Sequence, residues 1–226
     1  MIEFFSNLFE PIIHILQMIL GAFYSVTSAA GLESYGFPII LLTILIKLVT
    51  YPLTVKQVKS MKAMQEIQPK MKKIQEKYKN NPQMLQQKTG ELFRNAGVNP
   101  LAGCLPLLVQ MPILMGMYYA LFNFTFPSAE AAAFFWLPNM SEPDPLYILP
   151  ILMAGTMFLQ THLNPKPADP VQAKMMTFMP LIFSVMFFFF PSGLVLYWVV
   201  SNIFSIAQQW VITRQIEGKP IFGRAA

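Results

Sequence analysis

Lys47 is the single charged residue in the apolar stretch 37–53 (Phe-Pro-Ile-Ile-Leu-Leu-Thr-Ile-Leu-Ile-Lys-Leu-Val-Thr-Tyr-Pro-Leu). Read as a helix from 36 to 57, this segment is about 33 Å long with the lysine near its middle. An ammonium at that depth costs on the order of 2.5–3.5 kcal/mol on insertion scales, so a role that repays the cost is expected. Its chemistry is that of a fixed cation whose three N–H donors can hold water, a carbonyl or a carboxylate. Thr43, four residues earlier, adds a hydroxyl to the same helical face.

Other apolar stretches carry polar residues too: Gln110, Thr156 with Gln160, and Trp198 with Asn202 and Ser205. The pairs 43/47, 156/160 and 198/202 are each four apart, so each projects one polar face from a helix. Taken singly, the amides, hydroxyls and Trp198 are accounted for by ordinary interhelical hydrogen bonding or packing. Taken together, several such faces could line a hydrated cavity. Lys47 could also pair with carbonyls or snorkel through a thinned bilayer, but no Asp or Glu occurs in any apolar segment. A water-filled cavity holding an unpaired positive charge suits it better. The methionines at 111, 115, 117, 175, 176, 179 and 186 are either lipid-facing filler or a flexible surface for varied apolar partners.

No catalytic set accompanies these residues. There is no paired intramembrane Asp, no HExxH and no Walker loop, Ser192 and Ser201 have no base placed beside them, and His162 falls at a helix end. The single cysteine, Cys104, precludes an internal disulfide, and no Cys/His cluster suggests a metal. A protein that is not an enzyme, without cofactor or metal, is the expectation.

Hydrophobic residues make up 54% of the 226 and charged residues only 12%, about half the share usual in soluble domains. With a mean hydropathy of +0.47, this indicates an integral membrane protein. The expected fold is all-α and polytopic: five transmembrane helices, an N-terminal interfacial amphipathic helix and a cytoplasmic helical hairpin. Residues 1–35 have no Lys or Arg, and Pro11, Ile12, Ile15, Leu16, Ile19, Leu20 and Phe23 outline a helix. Its interrupted apolar run reads as lying in the interface on the extracytoplasmic side, with a spanning helix as the alternative. Without a basic n-region it does not read as a signal peptide. The spans are placed at 36–55, 98–124, 146–163, 175–190 and 194–212. Between them lie a hairpin (56–97), an extracytoplasmic loop (125–145), a cytoplasmic loop (164–174), a tight turn at Pro191-Ser192-Gly193, and a tail (213–226).

The hairpin holds nine lysines and Arg94 against Glu66, Glu76 and Glu91, turns at Asn80-Asn81-Pro82, and ends near Gly97. Pro69 should kink its first arm or mark a restart. Its basic face is either simply solvated or a docking site for RNA or lipid headgroups. The loop 125–145 has no Lys or Arg, whereas Lys166, Lys174, Arg214, Lys219 and Arg224 share the hairpin's side. The positive-inside rule therefore puts hairpin and C-terminus in the cytoplasm and the N-terminus outside.

Four ordered blocks resemble the YidC-type membrane protein insertases of the YidC/Oxa/Albino family. They are Lys47-Leu-Val-Thr-Tyr-Pro-Leu-Thr54, Val98-Asn-Pro-Leu-Ala-Gly-Cys-Leu-Pro-Leu-Leu-Val-Gln-Met-Pro112, Met176-Thr-Phe-Met-Pro180 and Phe190-Pro-Ser-Gly-Leu-Val-Leu-Tyr-Trp-Val-Val-Ser-Asn202. The resemblance covers about residues 2–215 and is to the compact five-span form, without the large extracytoplasmic domain and extra first span of Gram-negative members. It implies an insertase and chaperone of the bacterial cytoplasmic membrane, with a hydrophilic groove open to cytoplasm and lipid and closed on the outer side. Apolar transfer into lipid, at about 25 cal/mol per Å², would drive insertion without nucleotide. Thinning of the bilayer near the short fourth span would lower the barrier.

By position, the resemblance makes Lys47 the groove charge, where the family usually has Arg, and Thr43, Gln110, Gln160 and Asn202 the polar wall. It makes Met111, Leu114, Tyr197 and Trp198 client contacts, and the hairpin a mobile capture region. Implied partners are nascent membrane-protein clients and the lipid bilayer, with the ribosome, the signal recognition particle machinery and the secretion channel as further candidates; DNA is not one. From the residues alone, a small-solute or ion transporter using Lys47 as its binding charge is the alternative. The lack of an internal repeat and of intramembrane carboxylates speaks against it.

Overall fold

The computed structural model describes residues 2–98, 105–122, 126–163 and 170–218, and these are almost entirely helical. The loop residues 99–104 with Cys104, the 164–169 part of the 164–174 loop with Lys166, and the tail from 219 with Lys219 and Arg224 lie outside the described residues. The helices are α1 (Ile2–Ala29), α2 (Gly36–Val49), α3 (Tyr51–Lys77), α4 (Pro82–Ala96), α5 (Leu105–Phe122), the single turn α6 (Ala129–Ala132), α7 (Ile148–Leu163), α8 (Pro170–Met186) and α9 (Ser192–Ile216). A 3₁₀ turn, Phe187–Phe189, joins α8 to the approach to α9. α9 is the centre of the bundle and packs against α2, α3, α5 and α7; α8 lies outside, against α7.

Local chemistry explains the breaks. Pro52 has no N–H to continue the α2 ladder, and the chain bends by 62° between α2 and α3. The hairpin forms as its turn residues suggest: the Asn81 side chain accepts from Met84 N (3.1 Å) ahead of Pro82, and Gly97 closes α4 at φ +63°. Pro69, in contrast, neither ends nor restarts its helix, which runs on to Lys77.

Among the described residues, the apolar helices differ in length. By length and composition, the Glu10–Ala29 part of α1 and the whole of α9 can each cross a bilayer, and α2 with α3 forms a third, bent candidate. The remaining apolar helices are shorter; α7, at 16 residues, is about 24 Å long against roughly 30 Å of hydrocarbon. α1 is no isolated surface helix either. It packs along α5 and α2, with Leu16 and Leu20 buried beside Met117 and Leu121. Part of the apolar period of α1 thus serves a bundle contact. On α7 and α8, Ile151, Phe158, Phe178, Ile182, Phe183 and Val185 are exposed, an apolar surface larger than water-soluble monomers leave open.

Packing is densest at one end. The segment 126–147 folds over the N-termini of α2 and α9: Tyr35 N donates to Ala131 O (3.0 Å), Ser192 N to Glu142 O (2.8 Å) and Gly193 N to Met140 O (2.9 Å). The Phe134 ring lies where a side chain on Gly36 would stand, so a glycine is required there. Asp144, only 2% exposed, accepts from Trp136 Nε1 (3.1 Å), Leu146 N (2.9 Å) and Leu149 N (2.7 Å), capping α7 while tying the loop down.

Asp144→Ala leaves three donors without their acceptor. It is expected to cost about 3 kcal/mol or more, lowering the unfolding temperature in detergent by roughly 6–12 °C. The exposed Glu142→Ala should shift it by less than about 2 °C. Equal shifts would show that the Asp144 cap does not hold this end together.

Candidate functional site

Burial along α9 changes with position. Residues 192–197 are all buried against the loop, whereas from Ile203 to Val211 every residue is half-buried or exposed. α2 shows the same gradient, from the enclosed Ile39, Leu42 and Thr43 to the exposed Leu48 and Val49. The bundle is therefore closed at the loop end and loosens toward the hairpin.

The polar residues of α9 lie along this gradient. At about 100° per residue, Tyr197, Ser201, Ser205 and Gln208 fall within an 80° stripe, and Asn202 lies some 60° further round. The stripe meets α5 and α2. Gln110 Nε2 donates to the Tyr197 hydroxyl (2.6 Å), Lys47 Nζ donates to Ser205 Oγ (2.8 Å), and Ser205 Oγ in turn donates to Ser201 O (2.9 Å). One turn on, Gln208 Nε2 donates to Lys47 O (3.1 Å). Lys47 is thus gripped by α9 at both ammonium and backbone. Asn202 faces α7 instead, with Nδ2 3.3 Å from Thr156 Oγ1 and 3.6 Å from Met153 Sδ.

Lys47 does not sit midway along a straight span. It lies in the last turn of α2, two residues before that helix ends, and beyond the bend α3 advances along the α2 axis by only about 0.7 Å per residue. Lys47 is half-buried and, among the described residues, its ammonium has no carboxylate partner. Ser205 uses one of three N–H donors, leaving capacity for water or a guest acceptor. Gln208 Oε1 close by is buried with no hydrogen-bond partner among the described residues. An acceptor left that way costs about 1–3 kcal/mol, and water or a guest N–H would relieve it. The arrangement offers a cation and a neutral acceptor on one polar stripe. It contains no nucleophile–base pair, and no metal-binding group of His, Cys, Asp or Glu forms among the described residues.

The other residues singled out from the sequence divide. Thr43 is fully enclosed and its hydroxyl donates to Ile39 O (2.7 Å), so it presents nothing to an open cavity. Tyr197 is 1% exposed, which leaves it holding Gln110 with no surface for a guest in this conformation. Gln110, Gln160 and Leu114 are half-buried and Met111 is 44% exposed. Trp198 stands half-buried, edge-on to Phe187 at 4.8 Å between centroids. Ser201 and Gln208 complete the Lys47 grip and were not among the candidate site residues, although their 3- and 4-residue spacing from Ser205 put them on one stripe.

Comparison with known proteins places this geometry. Residues 25–219 match the family model described as 60Kd inner membrane protein. Over 195 residues the chain is 54% identical to a membrane protein insertase YidC of Cupriavidus taiwanensis, covering 86% of this chain and 34% of that protein. It is 52% identical to the YidC insertase of Laribacter hongkongensis, covering 82% and 34%. The chain spans about a third of the length of these curated relatives. A crystal structure of an active YidC insertase with its first transmembrane domain resolved superposes with a TM-score of 0.67 at 26% identity, covering 90% of this chain and 45% of that one. A lysine-bearing polar stripe in a one-end-sealed helical bundle, four ordered sequence blocks and these matches agree: the chain belongs to the YidC family of membrane proteins.

Proposed function

We propose that this chain is a membrane protein insertase and chaperone that takes apolar segments of nascent proteins from the cytoplasm into the bilayer. The observation that carries the proposal is half-buried Lys47, its ammonium held by a hydroxyl and, among the described residues, by no carboxylate. A client's acidic flanking residue supplies the missing counter-charge for the time it spends there. Ser205 gives up the ammonium more readily than a resident carboxylate would, since its hydroxyl offers a dipole where a carboxylate would add the attraction of a full opposite charge.

The polar stripe with Gln110 and Lys47 forms one wall of the groove; Asn202, Thr156 and Gln160 form a second polar face toward α7. The client's apolar segment moves along Met111, Leu114 and Trp198 and out to lipid, driven by about 25 cal/mol for each Å² of apolar surface it transfers. Short α7 and the exposed apolar side of α8 suit a locally thinned bilayer. The loop 126–147 closes the extracytoplasmic end, the hairpin α3–α4 lies in the cytoplasm and captures clients, and the ribosome, the signal recognition particle machinery and the secretion channel deliver them. The protein resides in the bacterial cytoplasmic membrane and uses no nucleotide or other cofactor.

Lys47→Arg is expected to retain insertion of single-span clients with acidic translocated tails, and Lys47→Glu to slow it about tenfold or more, the scale of a 1.4 kcal/mol change. Reconstituted insertion assays read this directly, and equal rates in the two variants would refute the electrostatic groove. Photo-crosslinkers at Met111 and Trp198 should trap a nascent client, while one at the enclosed Tyr197 should not. If neither Met111 nor Trp198 yields an adduct, the client path lies elsewhere.

A further inference from the structure

Away from Lys47, at the hairpin-side end of α9, a cleft of about 270 Å³ opens between α3 and α9. Val58, Met61 and Leu163 give it an apolar wall, and Lys62, Gln65, Gln209, Thr213, Arg214 and Glu217 give it a polar one. The Arg214 guanidinium lies 4.6 Å from the centre of the Trp210 ring. Lys62 forms an ion pair with Glu217, the residue that caps the C-terminus of α9. Gln209 Nε2 donates to Leu163 O (3.2 Å), fixing the end of α7 against the cleft.

We propose that this cleft binds the headgroup phosphate of an anionic phospholipid, with Glu217 as an internal anion that the phosphate displaces from Lys62. Two observations support a lipid. An exposed aromatic followed one turn later by a cation marks the end of a span at the headgroup level, as Trp210 and Arg214 do on α9. The apolar wall at Leu163 continues into the exposed Phe158 and Leu159 of α7, a path for an acyl chain.

The charges favour exchange. A carboxylate at a helix C-terminus faces the negative end of the dipole, so Glu217 is poorly placed and its pair with Lys62 is correspondingly replaceable. Lys62 and Arg214 against Glu217 leave one net positive charge in the lining, matching one phosphodiester. Binding would move Lys62, on α3, from its tie to α9 onto a lipid, so that lipid composition bears on how firmly the hairpin's first arm is held.

The test uses the full chain carrying Trp136→Phe and Trp198→Phe, leaving Trp210 as its single tryptophan, in phosphatidylcholine vesicles doped with brominated-chain phosphatidylglycerol or brominated-chain phosphatidylcholine. The glycerol lipid should quench Trp210 about twofold more strongly. Lys62→Gln should remove the preference and Glu217→Gln should raise it, opposite signs that simple loss of a structural ion pair would not give. Equal quenching by the two lipids, or an unchanged preference in both variants, overturns the site. Loss of the preference on adding inorganic phosphate reassigns the cleft to a free anion, and loss on adding a soluble acidic peptide reassigns it to a client; either overturns the lipid. Lys47→Glu should leave the preference intact, which separates this result from the insertion assay.

Discussion

A lone ammonium inside a largely apolar bundle must find oxygen, and the oxygen it finds decides how the helices meet. Here it is the Ser205 hydroxyl, backed by Ser201 O, with Gln208 holding the lysine's own carbonyl. These bonds fix the register of α2 on α9. They also require α9 to present a polar stripe where a simple span would be apolar all round. Placing hydroxyls and amides there in place of a carboxylate leaves the cation, among the described residues, without a carboxylate partner.

That openness is tolerated because cohesion is concentrated elsewhere. The loop 126–147 contributes backbone hydrogen bonds to both α2 and α9, a buried Asp144 with three donors, and the Phe134 ring seated on Gly36. Leu194, Val195 and Tyr197 pack beneath it with Ile39 and Leu42. A bundle held so firmly at one end can leave polar groups half-solvated at the other.

Much of this was legible in the sequence, for physical reasons. The hairpin turn follows from Asn81, Pro82 and Gly97, whose backbone preferences are local, and the family from four ordered blocks. The Lys47–α9 contact was legible only in part, because a 3–4 spacing gives a face but not the neighbour it meets. The stretch 36–57 read as one helix despite Pro52, because the size of the bend, and so the position of Lys47 in a last turn, depends on packing between α3 and α9. For α1, an apolar stripe looks the same whether lipid headgroups or α5 cover it. The burial of Thr43, read as polar wall, and of Tyr197, read as a client contact, was not legible, because burial is a property of neighbours that no spacing encodes. Asp144 had a local signal of its own, since an Asp just ahead of an apolar helical run is a capping candidate.

The uneven packing has a mechanical side. A helix clamped at one end moves most at the other: with 25 residues α9 is about 37 Å long, and a tilt of about 5° about its buried N-terminus carries its far end some 3 Å. At Ser205, about 20 Å from the clamp, the same tilt is nearly 2 Å, enough to take a 2.8 Å hydrogen bond out of reach. Lys47 therefore sits where a very small splay of the bundle, one that leaves the sealed end undisturbed, is enough to set its ammonium free.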